Sequence, residues 1–176
     1  MIRTVNWEKK TPQRYTQRRL VEYILKENNI EIGYFQIKGL LNQEILGELF
    51  TKKIELKNKI QSNSKWFFPS TYTLLLDCVT KDYLAKITGS TAISYLKKII
   101  YKREITTKEE KKYVFQMSIK EGVNVFEDTT SLSIIHCNNP KSQNGAFTFI
   151  DGTDETILLA TFYILHQFME LNESTS

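Results

Sequence analysis

Cysteine is nearly absent from the 176-residue chain. Cys78 and Cys137 stand alone, with no short-spaced pair and no His/Cys cluster. That excludes a disulfide scaffold and a closed zinc site. Both cysteines lie beside apolar runs (Leu74, Leu75, Leu76; Ile134, Ile135), which predicts two buried, reduced thiols. Three prolines and seven glycines are too few for a collagen-like, low-complexity or loop-dominated protein. Long apolar runs are missing too. The longest, Ile157 to Met169, is interrupted by Thr161, His166 and Gln167, and about 20 residues are needed to span a bilayer. The N-terminal Met-Ile-Arg-Thr-Val-Asn-Trp-Glu-Lys-Lys has no apolar core of the secretory type. A cytoplasmic protein with no membrane partner is expected. Also lacking are a nucleophile-elbow glycine pair around Ser131 or Ser133, a phosphate-binding loop, and further metal ligands near His136. His136 and His166 therefore read as structural. No complete catalytic motif is present.

What remains is an ordinary globular composition, 41% apolar and 25% charged, long enough for one domain with its own core. Charge is unevenly placed. Residues 1–120 carry 23 basic and 12 acidic residues, whereas residues 121–176 carry only Lys141 against eight acids. Basic groups cluster at Arg14, Arg18 and Arg19 and at Lys52, Lys53 and Lys57. Such asymmetry is compatible with a nucleic acid or another polyanion lying against one side, and equally with a solvated lysine-rich surface. Trp66-Phe67-Phe68 beside Lys65 is suited either to base stacking or to anchoring a turn in the core.

Patterning predicts the elements. Thr11-Pro12 is a helix-start signal, and Tyr15, Leu20, Tyr23 and Ile24 form an apolar stripe of an amphipathic helix ending near Glu27. Alternation predicts strands over Ile30–Gly39, Ser70–Val79, Tyr83–Thr88, Tyr113–Ile119, 132–137 and 146–150. Leu49 to Ile60 fits a charged helix or an exposed hairpin arm, and Ala92 to Tyr101 a short basic helix. A final helix runs from about Asp154 to Leu171, with Asp151, Thr153 or Asp154 available as its cap. It is apolar all round and must be buried, either as the centre of the domain or in an interface with a protein partner or a second copy. These elements imply an α+β or α/β class: a central mixed β-sheet with an N-terminal amphipathic helix and an apolar C-terminal helix. Residues 1–130 would form the core and 131–176 an extension packed on that core or on a partner.

One tripeptide invites chemistry. Gln36-Ile37-Lys38 puts an amide and an ammonium on one strand face. In order, Phe35-Gln36-Ile37-Lys38-Gly39, then Phe68-Pro69 before Tyr72-Thr73-Leu74-Leu75-Leu76-Asp77, then Tyr83-Leu84-Ala85-Lys86-Ile87, resemble a PD-(D/E)xK nuclease-superfamily domain found in bacterial mobile-element and defence loci. The resemblance covers roughly residues 15–130. It implies a restriction-endonuclease-like core with Gln36 and Lys38 as catalytic residues, and Glu22 and Asp77 as carboxylates for a metal, Mg²⁺ if the site is active. One departure stands out: the family's principal metal-binding aspartate has no counterpart, because Glu31-Ile32-Gly33 abuts the motif and Glu31 falls on the opposite face from Gln36. The resemblance then implies a degenerate, nucleic-acid-associated module, with a protein-interaction subunit or an active metal-dependent DNase as alternatives. A second pattern, the strand Ala146–Ile150 leading directly into the apolar helix, is similar to tubby-like barrels, where such a helix threads the barrel.

Overall fold

The computed structural model describes residues 1–10, 20–39, 43–60, 71–90, 99–118, 122–128, 130, 132–138, 140 and 143–174. Among them, alternating apolar and polar side chains produce twelve strands in succession. They are β1 (Ile2–Lys9), β2 (Leu20–Glu27), β3 (Ile30–Lys38), β4 (Glu44–Leu49), β5 (Lys52–Ile60), β6 (Thr71–Asp77), β7 (Tyr83–Ser90), β8 (Ile99–Thr107), β9 (Lys112–Ser118), β10 (Gly122–Glu127), β11 (Ser133–Cys137) and β12 (Asn144–Ile150). A helix follows, α1 (Glu155–Ser174). Each strand pairs antiparallel with its sequence neighbours, and β12 returns to β1 (Ile2↔Ile150 through Glu8↔Asn144), closing a barrel.

This architecture overturns the mixed-sheet α+β or α/β class and the nuclease resemblance together. The sheet is wholly antiparallel and closed, with no crossover helix among the described residues. The defence-locus setting, tied to that resemblance alone, falls with it. The expected N-terminal helix is corrected as well. Over Leu20–Glu27 the chain is a strand with Val21, Tyr23 and Leu25 buried, so period two prevails over the helical stripe. Tyr23 suits both patterns; the pairing Tyr23↔Phe35 decides for the strand. Thr11 to Arg19 lie outside the described residues. The ambiguous stretch after residue 40 contains β4 and β5. Of the basic helix expected over Ala92–Tyr101, residues 92–98 lie outside the described residues and Ile99 already begins β8. Residues 131–176 supply β11, β12 and α1 to the same barrel.

The helix lies inside. Eight strands make a barrel that their own side chains fill, so twelve leave a lumen needing other contents. From Ile157 to Leu165 every helix residue is at most 2% exposed. The lumen is thus occupied by the chain's own C-terminal segment, and the helix forms the centre of the domain. Gly152 (φ 89°) turns the chain out of β12, and Asp154 caps the helix, its Oδ1 accepting from the Thr156 amide at 2.6 Å. Phe162 sits at the hub of an aromatic cluster, its ring 5.2 Å from Tyr23, 5.3 Å from Phe35, 5.7 Å from Trp7 and 6.5 Å from Phe147. Glycines make room for it. A Cβ on Gly47 would meet Leu159 at 3.0 Å, and one on Gly145 would overlap the Trp7 ring at 2.2 Å.

The wall faces outward with polar side chains, among them Glu22, Lys26, Gln36, Glu48, Lys53, Glu55 and Lys86, and inward with Val5, Trp7, Phe35, Ile54, Leu75 and Phe115. That alternation is the reverse of a barrel whose wall faces lipid. No helix among the described residues is long and apolar enough to cross a membrane.

Removing the hub ring leaves a cavity among four aromatic partners. Phe162→Ala is expected to cost about 3–5 kcal/mol, a large share of the roughly 5–15 kcal/mol that holds a domain folded. Thermal unfolding followed by circular dichroism should therefore show loss of the native transition or a drop of roughly 6–20 °C, at about 2–4 °C per kcal/mol for a domain this size. An unchanged melt would contradict the packing described.

Candidate functional site

Pairing of β2 with β3 sets Glu22 opposite Gln36, and both side chains lie on the outer wall, alternate with buried Val21, Tyr23, Phe35 and Ile37. Gln36 Nε2 donates to Glu22 Oε2 at 3.1 Å, and the Lys10 ammonium bonds the other carboxylate oxygen. Lys10, then Gln36, then the charge of Lys38 hold the Glu22 carboxyl below its ordinary value against the opposing effect of burial. Three of the expected site residues, Glu22, Gln36 and Lys38, therefore come together. Asp77 does not join them. It ends β6 at the opposite end of the barrel, where Oδ1 accepts from the Val79 and Thr80 amides at 2.9 and 3.0 Å and Oδ2 faces Lys52 at 3.6 Å.

Mg²⁺ needs several hard oxygen ligands. Glu22 is already neutralised by Lys10, and no group of three His, Cys, Asp or Glu able to hold a metal exists among the described residues. These residues do not fit the ion. Gln36 and Lys38 are better explained as an outer-wall polar row that solvates the strand and pins its neighbour.

The lysines expected to contact nucleic acid are likewise engaged. Lys52 faces Asp77, Lys53 faces Glu48 at 3.1 Å, and Lys57 faces Glu55 at 3.3 Å. Arg14, Arg18, Arg19 and Trp66-Phe67-Phe68 lie outside the described residues. His136 has an Asn side-chain oxygen at 2.8 Å from each ring nitrogen, Asn124 and Asn138. Cys137 is buried, and desolvation pushes its thiol up to about 12, while Cys78 is half-buried and free. Both are reduced. His166 is buried on α1 with Nδ1 3.1 Å from the Tyr23 hydroxyl and Nε2 3.7 Å from Glu170.

The two ends of the barrel differ in build. At one end, where α1 enters, the connections are short: Asn28-Asn29 and Phe50-Thr51 are two-residue turns with φ of 50°, 65° and 51° at Asn28, Asn29 and Phe50. Arg3 points inward there. It grips Glu27 through two bonds of 2.8 and 2.7 Å, reaches Asp151 at 3.4 Å and stacks on Phe50 and Phe149. At the other end the interior turns polar. Asn58 Oδ1 accepts from Thr73 Oγ1 (2.7 Å) and from the Tyr163 hydroxyl (3.0 Å), which in turn accepts from Gln167 Nε2 (2.8 Å). Beside them, Arg103 Nε donates to the Tyr101 hydroxyl at 2.6 Å. A notch of about 370 Å³ opens by Asn58, where β4 has ended and Lys57 to Ile60 pair with β6 alone. Sequence patterning missed Asn58, Tyr101, Arg103 and Tyr163 as a group. Their one signal is parity: in β8, Arg103 alternates in step with buried Tyr101 and Ile105.

Glu22, Glu27 and Glu55 are all held below 4.5, chiefly by hydrogen bonds from Lys10, Arg3 and Lys81. A lowered folded-state value means stability that is present above the ordinary carboxyl range and lost as pH falls through the folded one. The melting temperature should be flat from neutral pH downward and fall below about 4.5. Arg3→Gln should lower it by roughly 2–4 °C at neutral pH, the effect of about 1 kcal/mol, and flatten the acid limb. An acid limb identical in the variant would show that Glu27 does not depend on Arg3. No protein-family model, no curated protein and no solved structure matches this chain.

Proposed function

We propose that the chain is a non-catalytic binding module that takes a polyanion, nucleic acid in the first instance, at the end of the barrel remote from the helix entry. One observation carries the reading. The six segments that join strands at that end (10–19, 39–43, 61–70, 91–98, 119–121 and 138–143) hold nine basic residues and one acid, Glu121. The six at the helix-entry end (28–29, 50–51, 78–82, 108–111, 128–132 and 151–154) hold three basic residues and six acids. On the wall between them several charges neutralise one another in pairs. A field of one sign at one end steers a polyanion and orients it. The lumen is filled by α1 and the Glu22–Gln36–Lys38 row does not suit a metal, which supports binding without catalysis. Cytoplasmic placement is proposed with this reading.

A second reading, a protein-interaction subunit, draws on the exposed Ile2, Ile30, Val79 and Leu132 at the helix-entry end, 67–83% exposed. In that reading the contact lies at this end. The helix itself, covered on all sides from Thr156 to His166, serves the barrel.

Fluorescence anisotropy against labelled single- and double-stranded DNA and RNA at low salt tests the proposal. Binding is expected, with an affinity that falls steeply as salt rises. Changing Arg14, Arg18 and Arg19 together to Gln should weaken it and reduce the log–log salt slope by up to about three, near one per phosphate contact. In the same samples with Mg²⁺ or Mn²⁺ the nucleic acid should stay intact. No binding by the unmodified protein at low salt would sink the polyanion reading and favour the interaction subunit. Cleavage lost in Lys38→Ala would sink the non-catalytic one.

A further inference from the structure

Among the described residues two arginines point into this barrel, one near each end, and they are treated differently. Arg3 is matched by Glu27 and Asp151. Arg103 is half-buried, on the same strand face as Tyr101 and Ile105, and forms no ion pair with any described residue. Its Nε is committed to the Tyr101 hydroxyl, and its guanidinium stacks over the Tyr101 ring at 4.9 Å. The Tyr101 ring is itself wedged edge-on against Phe115 at 6.1 Å and near Phe168 at 6.2 Å. The guanidinium is therefore aimed, and its end-on pair of nitrogens has no acceptor among the described residues.

Space has been made for it. Gly89, across the β7–β8 pairing from Arg103, would carry a Cβ 2.1 Å from Arg103 Nη1 if it were any other residue. Nearby, burial raises the Tyr163 hydroxyl above its ordinary value, and the charge of Arg103 acts against that rise. The Asn58 amide nitrogen has no acceptor among the described residues, since Oδ1 takes both donors that reach this side chain. This mouth thus offers N–H donors, Asn58 at its exposed rim, and a half-buried cation with no counter-charge among the described residues. Placing a cation partly out of water without a partner costs free energy, and an oxyanion with two syn oxygens recovers it through the planar fork.

We propose that this mouth is a binding site for a single phosphate group, with Arg103 as its anchor and Tyr101 as the residue that positions the anchor. Phosphate is favoured over a carboxylate because it accepts from the fork and keeps a further non-bridging oxygen for a donor such as Asn58, in the more basic half of the molecule. The site stands independently of polyanion binding: it needs one phosphate, not a strand.

Calorimetric titration with inorganic phosphate, in a buffer free of other oxyanions, tests it. Saturable binding of one phosphate per chain and a melting temperature that rises with phosphate concentration are expected. Arg103→Gln should weaken binding at least tenfold with an unchanged circular dichroism spectrum, and Arg103→Lys should restore only part of it. Gly89→Ala keeps the charge but displaces the guanidinium, and should weaken binding as well. Tyr101→Phe should weaken it severalfold. Parallel titrations with a nucleoside 5′-monophosphate and with glycerol phosphate name the source: tighter binding of either than of inorganic phosphate supports the site and identifies the ester it prefers. Acetate binding as tightly as phosphate would overturn the choice of ligand. Absence of saturable phosphate binding by the unmodified protein would overturn the site, as would equal binding by Arg103→Gln. Should that variant fail to fold, the Nε–H resonance of Arg103 in the unmodified protein decides, since a phosphate site must shift it. Nucleic-acid binding lost with phosphate binding retained would count against the polyanion reading alone.

Discussion

Everything in this fold depends on filling the lumen of a twelve-stranded barrel. Strand side chains alone reach the centre of a barrel of about eight strands, and a wider one would hold either water against apolar walls or a plug. Here α1 is the plug, and the aromatic rings of Trp7, Tyr23, Phe35 and Phe147 converge on Phe162 from four different strands. The dependence is mutual. The helix is too apolar to stand in water, and the wall too wide to close on itself. Glycines at 47 and 145 mark where the wall gives way to Leu159 and Trp7. Closure also waits for the last strand, because β1 finds one of its partners only in β12.

A filled lumen moves any binding to the outside or the ends. On the wall, oppositely charged neighbours such as Lys53 and Glu48 or Lys26 and Glu8 cancel locally. Exposed pairs of this kind add little stability, of order 0–1 kcal/mol each, but they leave the wall electrically quiet. At the helix-entry end the described connections hold more acids (Asp82, Glu109, Glu110, Asp128, Asp151, Asp154) than bases (Lys81, Lys108, Lys111). The two inward arginines differ. Arg3 is neutralised by Glu27; Arg103 stacks on Tyr101, with no acceptor for its outer nitrogens among the described residues.

The family resemblance built on Gln36-Ile37-Lys38 failed for an instructive reason. Two polar residues two apart on a strand share a face in any sheet, so the motif reports the strand and not the fold around it. The structure does bring Glu22, Gln36 and Lys38 together, but near the start of β2, whereas Asp77 closes β6 at the opposite end of the barrel. Amphipathic reading failed over Leu20–Glu27 because Val21-Glu22-Tyr23-Ile24-Leu25 satisfies periods of two and of 3.6 at once. Only the partner strand, with Phe35 against Tyr23, separates them.

By itself the sequence determined the alternating runs that became β3, β6, β7, β9, β11 and β12, and a C-terminal helix that had to be buried because no face of it is polar. It also determined that charge is uneven along the chain and that neither cysteine forms a disulfide. Those are local properties, set by each residue and its neighbours. Which strand lies beside which, that the sheet closes, and that the helix is enclosed by its own chain were decided by tertiary structure. So was the turning of Arg103 inward beside Gly89 and Tyr101. These depend on residues far apart in sequence meeting across a register, and register is an energy of the assembled whole, which no single segment carries.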